Sequence, residues 1–251
     1  MYTRTEALAS HSPPFPSYFL LLTSYPVIPS TMTSGILFDF NGVIVDDESQ
    51  HCEALVATLA GYGYALDRDT YYDQYLGFDD RECFRFTFEQ MGRRLDEKAL
   101  QEAVARKHAE YERSIRASMR LVPGVSEFIE NAALDGFQLA IVSGALRSEI
   151  ELVLELAGLR PHFAEIIAAE DVGACKPDPQ GYNCARARLD LAPKRCVVVE
   201  DSLPGLTAAR AAGLRCAMLA TSHPENACGE ADLVWRDFVG HDAAELPWAH
   251  G

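Results

Sequence analysis

Beyond residue 34 the chain switches between two hydrophobic periods. Gly35-Ile36-Leu37-Phe38, Phe137–Ser143, Glu165–Ala169, Cys196–Glu200 and Arg215–Leu219 are short apolar runs, the pattern of strands buried on both faces. Between and beside them lie Val125–Leu134, Ser148–Leu156, Pro179–Leu189 and Leu203–Ala212, whose apolar residues recur three and four apart. This alternation predicts an α/β fold with a parallel sheet covered by helices on both sides. Residues 49–120 break the rule. They carry only the helical period, as in His51–Leu59, Leu95–His108 and Tyr111–Ser118, with no convincing strand. The domain reading is therefore a core formed by 35–48 and 121–240, interrupted after its first strand by a helical cap, 49–120. An insert leaving that edge of the sheet sits over the ligand crevice. It is read as a lid that excludes water and selects substrate, against the plainer reading of a helical decoration.

The two ends read differently. Residues 1–34 are rich in Ser, Pro and Thr, with Glu6 as their one acid. Tyr18-Phe19-Leu20-Leu21-Leu22 is too short to span a bilayer. The segment is expected to be a disordered tail, or to precede a working start at Met32, with organelle targeting as a second option. Residues 241–251 read as a C-terminal tail.

Charge narrows the partners. Twenty-two basic residues face 37 acidic ones, a formal charge of -15. Such a surface repels polyanions, which argues against nucleic acid and acidic membranes. A small phosphorylated metabolite remains compatible, because local donors and a metal override the mean field. The seven cysteines form no C-x-x-C pair, which suggests free thiols and a cytoplasmic setting. The expected assembly is a monomer or weak homodimer.

Four chemically useful groups fall at predicted strand ends: Asp39, Ser143, Lys176 and the pair Glu200-Asp201. A parallel sheet brings all of them to one edge. Each alone has an ordinary explanation. An aspartate after a strand caps a helix, a lysine before proline is solvated surface, Ser143 is a turn residue, and Glu200 is half of a core ion pair. Four such groups in this order are harder to obtain by accident.

Their order, with Asp39-Phe40-Asn41-Gly42-Val43, Ser143-Gly144, Lys176-Pro177-Asp178 and Glu200-Asp201-Ser202, resembles the haloacid dehalogenase-like hydrolases. The likeness is greatest to the β-phosphoglucomutase-like phosphatases with a helical cap. The resemblance implies a Rossmann-like core, Mg²⁺ dependence and an aspartyl-phosphate formed on Asp39. The residue chemistry agrees. A carboxylate can attack phosphorus and form a covalent intermediate, and backbone N–H groups of Phe40–Gly42 can cradle phosphoryl oxygens. Mg²⁺ takes oxygen ligands, which Asp39, the carbonyl of Asn41 and Asp201 would supply, with Glu200 bound directly or through water. Lys176 would offset the crowded negative charge. Ser143 and the N–H of Gly144 suit a phosphate oxygen near a helix start. Asp178 is read as a helix cap.

Asn41 departs from the pattern, since the resemblance implies an aspartate that moves protons at this position. General acid–base help is worth roughly 10²–10⁴-fold. Three readings follow: a slow enzyme, or one confined to good leaving groups; takeover of the proton work by His51, Asp46 or Asp47; or loss of turnover with the ligand site kept. On the sequence alone, Asn41→Asp is expected to raise turnover. In the cap, Tyr75-Leu76-Gly77-Phe78-Asp79-Asp80-Arg81 reads as a substrate loop. There Gly77 would allow close approach, and Arg81 would hold a second anion or else an acid nearby. His51 lies on the first cap helix. The leading function is a Mg²⁺-dependent phosphomonoester hydrolase. A sugar-phosphate mutase and a catalytically impaired ligand-binding protein are the alternatives.

Overall fold

The computed structural model describes residues 33–75 and 78–249. The expectations for the N-terminal tail, apart from its last two residues, and for Gly77 therefore lie outside the described residues. Six strands form one sheet in the order β3-β2-β1-β4-β5-β6, every pair parallel. They are β1 (Gly35–Phe38), β2 (Gln138–Val142), β3 (Phe163–Ile167), β4 (Cys196–Glu200), β5 (Arg215–Leu219) and β6 (Leu233–Trp235). This is a Rossmann-like α/β core. The last strand escapes sequence reading because three residues show no period.

Side-chain alternation assigns each strand residue to a face. Ile36, Phe38, Leu139, Ile141, Val197 and Val199 join α5 (Val125–Leu134) and α6 (Arg147–Ala157) in one buried cluster. Leu37, Ala140, Val142 and Val198 join α7 (Gln180–Arg188) and α8 (Leu203–Ala211) in the other. β1 is fully buried between them, which is why its four residues read as a continuous apolar run.

The strand order turns over between β1 and β4, and the crevice beyond the carboxyl ends of strands at such a point is where ligands bind. Phe38 lies opposite both Ile141 and Val199. The residues just past it therefore emerge level with the ends of β2 and β4.

Between β1 and β2 the chain forms α1 (Glu48–Ala60), α2 (Arg68–Gln74), α3 (Asp80–Gln90) and α4 (Glu97–Ser118). These helices share an apolar cluster that includes Leu55, Leu59, Phe84, Phe88 and Leu100. Side chains of Asp67, Asp79 and Asp96 cap the last three of them. α4 is a single helix where two periodic stretches are legible in sequence. Its buried stripe runs Leu100, Ala103, Lys107, Tyr111, Ile115. Two polar groups in an otherwise apolar stripe are pointed at something, and the next subsection gives their partners.

Residues 241–249 correct the expectation of a tail. Ala243 and Leu246 are buried in the main core, and the Trp248 ring stacks on Phe137 at 5.1 Å. The Trp248 indole N–H also donates to the Ala243 carbonyl at 2.8 Å. The apolar area of these three residues favours docking over solvation. Among the described residues, no helix is long and apolar enough to cross a membrane.

Candidate active site

Asp39 leaves β1 with its N–H donating to the Val199 carbonyl at 2.9 Å. Its carboxylate is thereby held at the β1–β4 crevice. Lys176 reaches across from the segment after β3. Its ammonium lies 2.6 Å from Asp39 Oδ1 and 2.6 Å from Glu200 Oε1. Asp39, Glu200 and Asp201 offer carboxylate oxygens within 4.8 Å of one another. The strand-end groups Asp39, Lys176, Glu200 and Asp201 thus form one cluster.

Glu200 and Asp201 have different surroundings. Glu200 is fully buried. Its Oε1 accepts from Lys176 and from the Tyr182 hydroxyl at 2.7 Å. Its Oε2 accepts from the Asp201 N–H, the Ser202 N–H and the Ser202 hydroxyl, each at 3.0 Å. Five donors leave little lone-pair capacity for a cation. Lys176 and Glu200 thus form a buried ion pair beside the carboxylates of Asp39 and Asp201. Asp201 Oδ2 accepts from Ser222, and Thr221 lies 3.4 Å away. Thr221 also donates to the Gly42 carbonyl at 2.7 Å, which ties the β5 end to the active loop.

Two glycines are required by this packing. Gly42 has φ of +73°, and a Cβ there would come 1.9 Å from Asp201 Oδ2. At Gly205 a Cβ would come 1.8 Å from Glu200 Oε1. Glu200 cannot swing aside without giving up its five bonds. Gly205→Ala is therefore expected to cost about 3 kcal/mol of stability, the upper range for overpacking. Denaturant unfolding checks this, and an unchanged midpoint would refute it.

The electrostatics follow from the crowding. Burial and the neighbouring Glu200 raise the Asp39 carboxyl from the usual 3.8 to about 6, with Lys176 offsetting part of the rise. Burial, Asp39 and Glu200 likewise push Asp201 well above the ordinary carboxylate range. Glu200 goes the other way: burial would raise it, but Lys176 and its other donors hold it low. Asp39 and Asp201 are thus an all-oxygen pair short of positive charge. Their carboxylate oxygens, within 4.8 Å of one another, are an all-oxygen donor set of the kind Mg²⁺ takes.

Ser143 is buried after β2, and its hydroxyl oxygen accepts from the Ala145 N–H at 3.0 Å. Gly144 beside it is exposed. Both line a small cleft that also includes Lys176 and Tyr182. In the active loop, the Phe40 N–H bonds to the Asp39 carboxyl. The Gly42 N–H instead closes the loop onto the Val45 carbonyl at 2.7 Å.

Asn41 faces the cap. Its amide nitrogen donates to Asp47 Oδ1 and Oδ2 at 3.1 and 3.0 Å and lies 3.2 Å from His51 Nε2. Asp47 is 1% exposed and also accepts from the Tyr111 hydroxyl. His51 stacks on Tyr111 at 4.3 Å, and its Nδ1 meets Lys107 Nζ at 2.6 Å. Lys107 in turn pairs with Asp80 at 2.7 Å. The polar stripe of α4 is thus aimed at residues 47 and 51. This changes the expectation for Asn41→Asp: an aspartate would set its charge against Asp47, so no gain in turnover is expected.

Arg81 pairs with Glu97 in a contact open to solvent. Its sequence neighbours Asp79 and Asp80 are taken, by the cap of α3 and by Lys107. Asp178 accepts from the Gln180 N–H at 2.9 Å, as a helix cap should. Sequence reasoning missed Lys107, Tyr111, Tyr182, Thr221 and Ser222. For the first two the signal was there, as polar residues four apart in an apolar stripe. For the last two it was their place just past a strand.

A sequence profile of haloacid dehalogenase-like hydrolases matches residues 36–219. Protein CbbY of Cereibacter sphaeroides is 33% identical over 195 residues, covering 74% of this chain and 83% of its own length. Validoxylamine A 7'-phosphate phosphatase of Streptomyces hygroscopicus subsp. limoneus is 27% identical over 215 residues, covering 85% and 96%. A mutant of CbbY from Rhodobacter sphaeroides, solved with xylulose-(1,5)bisphosphate, superimposes with a TM-score of 0.78 at 27% identity, over 86% of this chain and 99% of that one. With the profile spanning the sheet from β1 through β5 and the helical insert between, the chain belongs to the haloacid dehalogenase-like hydrolases.

Proposed function

We propose that this protein hydrolyses phosphomonoesters of small metabolites, with Asp39 accepting the phosphoryl group. One observation carries the reading: a carboxylate at the switch point of the sheet, bridged by Lys176 to a buried Glu200 and set beside Asp201. Lys176 pins one oxygen of Asp39 and so sets the direction of the other. Its charge also counters the anion that builds up as phosphorus is attacked, the usual source of rate in such sites. Ser143 and Gly144 offer a hydroxyl and an N–H to a phosphoryl oxygen. Asp39, Asp201 and the carbonyl of Asn41 would hold Mg²⁺. When bound, the ion would neutralise phosphoryl oxygens and relieve the repulsion between the two carboxylates. The relatives named above, a phosphate phosphatase and a sugar-bisphosphate-bound CbbY, make phosphorylated sugars and sugar-like alcohols the first substrates to try.

The test is phosphate release from a panel of phosphorylated sugars, polyols and carboxylic acids, with and without Mg²⁺. Mg²⁺-dependent release is expected. Tight metal-dependent phosphate binding with no release from any compound would replace this reading with that of a binding protein. Turnover sustained only by catalytic sugar bisphosphate, without net release, would make it a mutase.

Metal binding has a pH signature. The Asp39 carboxyl binds its proton more tightly folded than unfolded, so its contribution to stability is present at low pH. That contribution is lost as pH rises from near 3.8 through about 6. Asp201 acts in the same sense. Stripped of metal with chelator, the protein is expected to lose this stability between mildly acidic and neutral pH. Mg²⁺ should then raise the melting temperature more at neutral pH than at mildly acid pH. Equal shifts at both would mean the ion does not sit on these carboxylates.

A further inference from the structure

β5 delivers two hydroxyls to the crevice that the chemistry above does not use. Leu219 ends the strand, and the Ala220 N–H donates to the Trp235 carbonyl at 2.8 Å, so the chain is still held by the sheet one residue before them. Thr221 and Ser222 are exposed residues, yet both hydroxyls turn onto buried groups. Ser222 donates to Oδ2 of Asp201, a residue only 3% exposed. The Thr221 hydroxyl donates to the Gly42 carbonyl at 2.7 Å and lies 3.4 Å from the same Asp201 oxygen. Each hydroxyl has a single hydrogen to give, so Thr221 serves the loop and Ser222 the carboxylate. Gly42 closes on Oδ2 from another side, where a Cβ would stand 1.9 Å away. Among the described hydrogen bonds, those to the Asp201 carboxylate all fall on Oδ2. Oδ1 is left for another ligand. A carboxylate turns readily about its last torsion, which has a broad, nearly two-fold profile. Contacts on one oxygen and none on the other remove that freedom.

We propose that Thr221 and Ser222 are positioning residues for the divalent cation, a clamp after β5 that fixes the Asp201 carboxylate and the active loop relative to each other. The proposal rests on the Mg²⁺ reading given above. Asp201 stands at the end of β4, and the Asn41 carbonyl belongs to the loop after β1, one residue before Gly42. Those two parts of the donor set come from different segments, and the pair 221–222 bonds to both. The hydroxyls act through Asp201 and Gly42 rather than by touching ion or substrate. A donor set already held in place loses less freedom when the ion arrives, and so binds it more tightly. The plainer role, satisfying a buried carboxylate and closing a surface loop, would support stability without altering how tightly the ion is held.

The experiment titrates Mg²⁺ alone, by calorimetry, into the full chain stripped with chelator, and records the melting temperature of each metal-free variant. Thr221→Val with Ser222→Ala deletes both hydroxyls. It is expected to weaken Mg²⁺ binding by about 10–100-fold, the usual effect of removing the hydrogen-bond partners of metal-binding side chains. The Mg²⁺ concentration giving half-maximal phosphate release should rise by a similar factor, with a smaller loss in kcat at saturating Mg²⁺. Thr221→Ser keeps the hydroxyl and should bind Mg²⁺ nearly as the parent does. Parental Mg²⁺ affinity in the double variant would overturn the proposal, whether or not its melting temperature falls. So would a fall in kcat with the affinity unchanged. If the double variant fails to fold, Ser222→Ala alone decides: it changes one exposed residue, weaker Mg²⁺ binding upholds the clamp, and unaltered binding refutes it. A parent that binds no Mg²⁺ would end the metal reading and this inference together. A parent that binds Mg²⁺ through these residues but releases no phosphate from any compound would end the hydrolase reading and leave the clamp standing.

Discussion

Asp39→Asn is expected to abolish phosphate release while leaving the protein folded. An amide has no lone pair able to displace an ester oxygen from phosphorus, and loss of a covalent nucleophile typically removes 10⁴-fold or more of turnover. The asparagine carbonyl can still accept from Lys176, so that link to Glu200 survives. One negative charge also leaves a cluster in which Asp39 and Asp201 repel. Without metal, the variant should therefore melt no lower than its parent. Its affinity for Mg²⁺ should fall, because a charged ligand has become neutral. Phosphate release, melting temperature and Mg²⁺ titration check the three parts. Release at a rate comparable with the parent would move the nucleophile elsewhere and end the proposed chemistry.

Lys176→Met is expected to be damaging twice over. The ammonium is nearly buried between two anions, and Glu200 has no solvent to turn to. Removing one partner of such a group costs about 3–5 kcal/mol, because it strands the other. Turnover should fall roughly 10²–10³-fold as a fixed charge at the reacting centre is lost. Adding Glu200→Gln separates the two effects. The double variant removes the stranded anion and should regain most of the stability, with turnover still low. Denaturant midpoints and kcat provide the readouts. A single variant as stable as the parent would mean that Lys176 and Glu200 are not coupled as their 2.6 Å contact indicates.

The structure separates what local pattern carries from what it cannot. The parallel sheet was legible because β1, β2, β4 and β5 are short, mostly apolar runs buried between helices except at the first residues of β2 and β5. Burial on two faces leaves no other composition open to them. The convergence of Asp39, Lys176, Glu200 and Asp201 was legible for a related reason: parallel strands send their carboxyl ends to one edge. β6 and the docked segment around Trp248 were not, since each is too short to show a period and is held by partners distant in the chain. The partner of Arg81 was not legible for a similar reason. Its neighbours in sequence were already bound, and its partner lies sixteen residues away.

Residue order alone thus carried the fold class and the sheet edge where Asp39, Lys176, Glu200 and Asp201 meet, because backbone periodicity and strand direction are local properties. The surroundings of Glu200 and Asp47 were a matter of three-dimensional contact. Glu200 is held by Tyr182 and Lys176, and Asp47 faces Asn41 because Tyr111, 64 residues on, holds it there. Adjacent acids such as Asp46 and Asp47 look alike in sequence. Packing of α4 against α1 turns one toward solvent and the other toward the loop, and that direction has no signature in a one-dimensional pattern.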